Sequence, residues 1–300
     1  VQVEGVPSRG LGATPRGAQP GGGPPEVQEH LVRDPPLVLE EADVAVGQRV
    51  LPRDGPLIGH RVVPEHPHGA GCAFLEVPEE RLRPKGVTNH VARISIRERP
   101  LTSEQAFLEH VQAMRDGMRS AIDQVVTCQP THVIMGVALE AFWGGVAAAD
   151  ELQRELAERA GVGVSMGSTA TVAALRRLGA RSIAVLTPHQ PRGDEQVRRY
   201  FEEAGFALPR LIGLKCPSPI QIAHTSERQV IDALRALDGD DVDALVQVGT
   251  NLAAVEICAE AERWLGKPVL AINAITYWDA LRRSGIEDQL QGCGSVLERF

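Results

Sequence analysis

The chain has no run of apolar residues long enough to cross a bilayer, so no spanning helix is expected. It has no excess of basic residues. Its 31 Lys and Arg stand against 39 Asp and Glu, a formal net charge of −8, which argues against nucleic acid as the main partner. Cysteine is sparse and scattered, at Cys72, Cys128, Cys216, Cys258 and Cys293, with no C-x-x-C pair. That spacing builds neither a disulfide framework nor a zinc site, and it fits reduced thiols in a cytoplasm. No G-x-G-x-x-G follows a strand pattern and opens a helix, which removes a nicotinamide-dependent oxidoreductase from consideration. The opening VQVEGVPSRG lacks a charged segment followed by an apolar one, so no secretory signal is read there.

What is present suits a globular protein with a sizeable core: 300 residues, 43% hydrophobic and 23% charged. Residues 1–56 differ from the rest. RGLGATPRGAQPGGGPPEV is dense in Gly, Pro and Arg and poor in large apolar residues, so a disordered or loosely attached extension is expected. His60, His66, His68 and Cys72 follow on a stretch broken by prolines, which fixes no ligand geometry, and no metal site is read from them. Beyond them the pattern becomes regular. GVTNHVARISI alternates like a strand, and residues 102–126 carry apolar residues at helical spacing behind Ser103 as a cap. THVIMGV, VGVSMG, RSIAVLTP, DALVQVG and KPVLAIN read as short apolar strands, with amphipathic helices between and after them. Short strands alternating with helices predict an α/β fold of parallel sheet covered on both faces.

Two stretches repeat the same order. Residues 132–179 and 244–285 each read strand, glycine, small loop, helix ending in Gly, strand, small polar residue, and a helix ending ALRR-x-G. Gly136 then matches Gly249, and Ser168 matches Asn273. Two related halves bring equivalent strand ends face to face, and open α/β sheets bind ligands beyond the carboxyl ends of their strands. Glycine there lets backbone N–H groups come close to a ligand, and helix N-termini favour an anion. A carboxylate held near Ser168, Thr169, Thr250 and Asn251 is the expected occupant.

IMGVALEAFWGG, GSTATVAALRRLGARSIAVLTP, LTPHQP and VGTNL, in this order, resemble the aspartate/glutamate racemase superfamily. Within it they resemble the maleate cis-trans isomerase and arylmalonate decarboxylase branch, over about residues 84–299. The resemblance implies two pseudo-symmetric α/β lobes, here about 57–185 and 186–300 within a domain of 57–300. It implies a small carboxylate substrate, no cofactor and no metal, an enolate-like intermediate, and commonly a homodimer or higher homo-oligomer. It also implies a cysteine at one or both strand ends. This chain departs there, with Gly136 and Gly249 at those positions, Ala138 where a serine is expected and His189 where a tyrosine is expected. The substrate loop near Val63 and Pro64 has lost its serine, asparagine and threonine. Residues 57–83 read as a shifted frame, with the resemblance resuming near Arg83.

Two functions follow. One is a cofactor-independent isomerase or decarboxylase in which His189, with Glu140 as a second candidate, replaces the thiols in proton transfer. Its substrate would be lined by Gly136, Val137, Ala138, Ser168, Thr169, Thr187, Gly249, Thr250 and Asn251. The other is an inactive relative that keeps the cleft and binds a carboxylate. Cys258, in a helix pattern, reads as core, and Cys216 as a loop thiol before a proline.

Overall fold

Short apolar strands each give way at a glycine or proline to an amphipathic helix, and this alternation sets the architecture. The structure, a computed structural model, describes residues 42–50, 82–94 and 104–300. The chain runs β1 (Ala42–Val50), β2 (Val87–Ile94), α1 (Glu104–Val125), β3 (His132–Met135), α2 (Ala138–Phe142), α3 (Gly145–Ala160), β4 (Gly163–Met166) and α4 (Gly167–Leu178). It continues with β5 (Ser182–Thr187), α5 (Pro191–Glu203), β6 (Ala207–Gly213), α6 (Pro219–Ala223), α7 (Glu227–Leu237) and β7 (Ala244–Gln247). It closes with α8 (Val255–Leu265), β8 (Val269–Ala271), α9 (Ile272–Arg283) and α10 (Ser295–Arg299). No helix among the described residues is long and apolar enough to cross a membrane.

The α/β class is as expected, with two four-stranded sheets in the orders β2-β1-β3-β4 and β6-β5-β7-β8. The second sheet is parallel throughout. The first is mixed rather than parallel: β3 and β4 run together, but β1 runs against both β2 and β3. Strand β1 stands inside residues 1–56, expected to be loose. The unit that holds both sheets begins at Leu39. The other calls on residues 1–81, including the histidine stretch and Cys72, lie outside the described residues. Strand β6 escaped the sequence pattern because Pro209 and Arg210 interrupt it. It is an edge strand, where proline is tolerated, and Arg210 forks onto Asp241 at 2.7 and 2.9 Å.

The repeat shows in local detail. Helices α4 and α9 have 12 residues each, open straight off a strand, and lack a side-chain cap. Each carries a threonine that returns its hydroxyl to the opening residue: Thr171 Oγ1 to the Gly167 carbonyl at 2.6 Å, Thr276 Oγ1 to the Ile272 carbonyl at 2.7 Å. Helix α9 crosses over to pack on α4 and on β3 and β4 of the first half. At the crossing a Cβ on Gly167 would lie 2.5 Å from Ile272 Cδ1, so any larger residue would have to displace the Ile272 side chain.

One buried histidine is expected to make the fold acid-sensitive. His132 is 3% exposed, and burial drives its pKa from 6.5 to about 4, with Asp279 opposing and Arg283 assisting. The unfolded chain therefore binds the extra proton first, and this histidine's contribution to stability is lost as pH falls from 6.5 towards 4. The loss is expected to be roughly 2–3 kcal/mol after allowance for incomplete burial. His132→Gln keeps a donor and cannot ionise. Urea unfolding of both proteins at neutral pH and near the lower limit should show a smaller acid loss in the variant.

Candidate active site

The turn from β5 to α5, Thr187-Pro188-His189-Gln190-Pro191, is held from several directions. Thr187 Oγ1 donates to Asp194 Oδ1 and accepts from the His189 N–H at 3.1 Å. The loop after β6 straps the turn through backbone bonds from Leu214 to Thr187 (2.8 Å), Lys215 to His189 (3.2 Å) and Cys216 to Pro188 (3.0 Å). Gln190 leaves its helix uncapped and instead donates to the Lys215 and Cys216 carbonyls at 2.8 and 2.9 Å. Asp194 lies flat against Gly213, where a Cβ would stand 2.0 Å from its Oδ2. Burial raises the Asp194 pKa; the Thr187 hydrogen bond and the charges of Lys215 and Arg198 oppose it.

His189 is the chemically open group of this turn. The residue is half-buried, yet its Nε2 is enclosed and has no hydrogen-bond partner. Burial lowers its pKa from 6.5 to about 4, so the imidazole is neutral near pH 7. Its ring base rests on Gly193, where a Cβ would lie 2.8 Å from His189 Cβ and 3.2 Å from Leu139 Cδ1. Gly193→Ala is therefore expected to push His189 from its place. It should lower any His189-dependent turnover about tenfold or more while costing about 1–3 kcal/mol of stability. Steady-state rates beside a thermal melt check this.

The β7 end forms the facing wall. Gly249 has φ +113, and a Cβ there would lie 2.5 Å from Pro188 Cγ and Cδ, so the two strand ends touch only because residue 249 is glycine. Gln247 Nε2 holds the Gly249 carbonyl at 2.9 Å, and Asn273 Nδ2 holds the Thr250 carbonyl at 3.0 Å. That bond turns Asn273 Oδ1 away as an enclosed acceptor without a partner. Thr250 and Asn251 are half-buried on the same turn.

On the first half, Gly136 and Val137 lead from β3 into α2, where Ala138 is buried. Leu139 reaches Gly193 and so brings this wall to His189. Glu140 faces elsewhere. It is 1% exposed and paired with Arg115 of α1, with its Oε2 enclosed and unpartnered. Burial raises its pKa while Arg115 opposes. Trp143 lies under the Arg192 guanidinium at 5.7 Å, closing the turn after α2 against α5. Thr169 spends its hydroxyl on the Met166 carbonyl at 3.2 Å. Ser168 is fully buried and its hydroxyl faces that of Tyr200, whose pKa burial pushes up to about 12 while the hydrogen bond with Ser168 opposes the rise.

Among the described residues, His189 Nε2 and Asn273 Oδ1 are enclosed side-chain polar atoms without a partner, and they follow the carboxyl ends of β5 and β8. Buried polar atoms are normally paired, so each of these two is open to a hydrogen bond from outside the chain. Asn273 was visible in the sequence only as the repeat partner of Ser168. The strap was not visible, because β6 was not. Cys216 lies on the loop after β6, as its sequence context suggested, and its N–H is bonded to the Pro188 carbonyl. Two hollows lie away from these residues. One of about 210 Å³ opens between α1 and α3 beside Arg115, Arg119, Glu151 and Glu155. The other, about 10 Å³ beside Cys258 and Cys293, is near the size of one water.

The family model for arylmalonate decarboxylase matches residues 104–297. Maleate isomerase from Nocardia farcinica is 25% identical over 197 residues, covering 64% of this chain and 78% of that protein. Arylmalonate decarboxylase from Bordetella bronchiseptica is 27% identical over 154 residues, covering 51% of this chain and 64% of that protein. Among solved structures, a cysteine-to-serine mutant of the Nocardia farcinica maleate cis-trans isomerase, with a covalently bound succinylcysteine intermediate, superposes with a TM-score of 0.68. It is 22% identical, covering 76% of this chain and 93% of that chain.

Proposed function

The chain belongs to the arylmalonate decarboxylase family, and from that premise we propose a cofactor-independent enzyme of the isomerase/decarboxylase type. Its substrate is a small carboxylic or dicarboxylic acid, turned over through an enolate-like intermediate without a thiol at Gly136 or Gly249. One observation carries this reading: an enclosed, unpartnered and neutral imidazole nitrogen, on His189, at the strand ends where family resemblance puts the substrate.

With the ring proton on Nδ1, Nε2 accepts a proton from the carbon beside the substrate carboxylate. The C–H electron pair moves into the carboxylate as a dioxyanion. The uncapped first turns of α4 and α9 offer N–H groups to that charge, and Ser168 adds a hydroxyl. Return of the proton to the same face of that carbon completes exchange, and return to the other face of the planar intermediate completes inversion. In the decarboxylase direction the C–C bond breaks instead, its electron pair moves into the remaining carboxylate, CO₂ leaves, and the same carbon takes a proton from solvent water, which leaves as hydroxide. Gly136, Val137, Ala138, Thr250 and Asn251 form the walls, and Thr187 orients His189 through its backbone N–H. Glu140, turned toward Arg115 and away from this turn, has no part in the proton transfer.

A second reading, a carboxylate-binding relative without turnover, is favoured by the Gly249 turn, which has no room for the thiol chemistry named for the Nocardia isomerase. Deuterium exchange into a panel of small acids separates the two. Incorporation supports the enzyme, and binding without incorporation supports the relative.

A further inference from the structure

A buried polar relay lies beside the site and takes no part in the chemistry above. His132 opens β3, Ser165 stands on β4, and Asp279 is on α9; they are 3%, 0% and 5% exposed. Ser165 Oγ donates to Asp279 Oδ2 at 2.5 Å and lies 2.9 Å from His132 Nε2. The same Asp279 oxygen accepts from Arg283 Nε at 2.7 Å. A serine hydroxyl has one proton. Since Ser165 gives its proton to the carboxylate, it can only accept from His132, whose proton must sit on Nε2. Bare Nδ1 then lies over Gly163, where a Cβ would be 2.9 Å away. The relay thus has one polarity, from His132 through Ser165 to Asp279, with Arg283 closing the far end.

Its place in the fold gives it a role. Strand β4 and helix α9 come from different halves of the repeat. From Ser165 the chain runs through Met166 and Gly167 to Ser168, and α9 begins at Ile272 and Asn273. Gly167 touches Ile272 at the site end, and Ser165 pins the same two elements further back. Two fixed points define both the rotation and the axial position of α9 on the first sheet. We propose that Ser165 is a positioning residue, which sets α9 so that Asn273 meets the Thr250 carbonyl and stands in register with Ser168. This rests on the strand-end site, but its test does not use turnover.

The test is amide hydrogen exchange by mass spectrometry on the full chain, beside thermal melts. Ser165→Ala should speed exchange about tenfold in residues 272–276 and in the tethered turn 249–252, the scale of one lost charge-assisted hydrogen bond. Elsewhere exchange should stay near wild type. Asp279→Asn keeps an acceptor for the hydroxyl but loses the charge that Arg283 also meets, so exchange at 272–276 should rise, by clearly less than in Ser165→Ala. If alanine at 165 fails to fold, Asp279→Ala breaks the same link from the helix side and should give the same local pattern. Unchanged exchange at 272–276, a uniform rise that follows the melting temperature, or equal damage from Asp279→Asn would each overturn the proposal. Failure of the catalytic reading alone would leave the exchange pattern intact.

Discussion

His189→Ala is expected to lower proton exchange or turnover by about 10²–10⁴-fold, the range for removing a positioned general base. Stability should fall by only about 1–3 kcal/mol, because the ring leaves a gap over Gly193 but its Nε2 makes no hydrogen bond and strands no partner. The pH profile adds a signature. A base whose pKa is held near 4 by burial stays unprotonated across the neutral range. kcat/KM should therefore be flat through neutrality and fall only as pH approaches that value, where Nε2 gains a proton. A thiolate base behaves otherwise: its rate climbs as pH rises towards the ordinary thiol value of roughly 8.5. Cys216, strapped to Pro188, is the thiol to compare, and Cys216→Ser should leave the flat profile in place.

Gly249→Cys, which restores a thiol where the family resemblance expects one, should damage the protein rather than activate it. A φ of +113 is costly for any residue with a Cβ, and that Cβ would stand 2.5 Å from two atoms of buried Pro188. The turn cannot relax freely, because Gln247 holds the Gly249 carbonyl and Asn273 holds that of Thr250. Backbone strain and overpacking together are expected to cost roughly 2–6 kcal/mol. That is a large share of the stability of an ordinary domain. Chemical denaturation of the variant checks it. A Gly249→Cys protein as stable as wild type would mean that the turn is not locked as described.

How far the sequence could be read depended on whether a signal was local. Helices α4 and α9 were legible because apolar spacing and a terminal glycine are both local, and Gly179 and Gly285 take positive φ as such glycines do. The repeat placed Ser168 beside Asn273 as equivalents, and the back-bonded Thr171 and Thr276 repeat that match. Strand β6 was not legible because edge strands tolerate Pro209, and with it went the strap that holds His189. The direction of Glu140 was not legible either. Its neighbour Leu139 meets Gly193 while Glu140 itself meets Arg115, and that choice is made by α1, more than twenty residues upstream. The antiparallel pairing of β1 likewise depends on partners far along the chain. The thiol-free character of positions 136 and 249 was plain from the sequence. The reason position 249 must be glycine, its contact with Pro188, needed three dimensions.

The central claim is that the strand-end site makes and breaks a C–H bond beside a carboxylate through His189. The most direct measurement is proton NMR in D₂O. Wild type and His189→Ala are each mixed with maleate, phenylmalonate, aspartate, glutamate and related 2-substituted acids. Deuterium incorporation, isomerisation or CO₂ loss with one of these acids, present in wild type and lost in the variant, is the predicted result. Saturation-transfer contacts between the acids and wild type with no exchange in any of them, or exchange that survives His189→Ala unchanged, would contradict it.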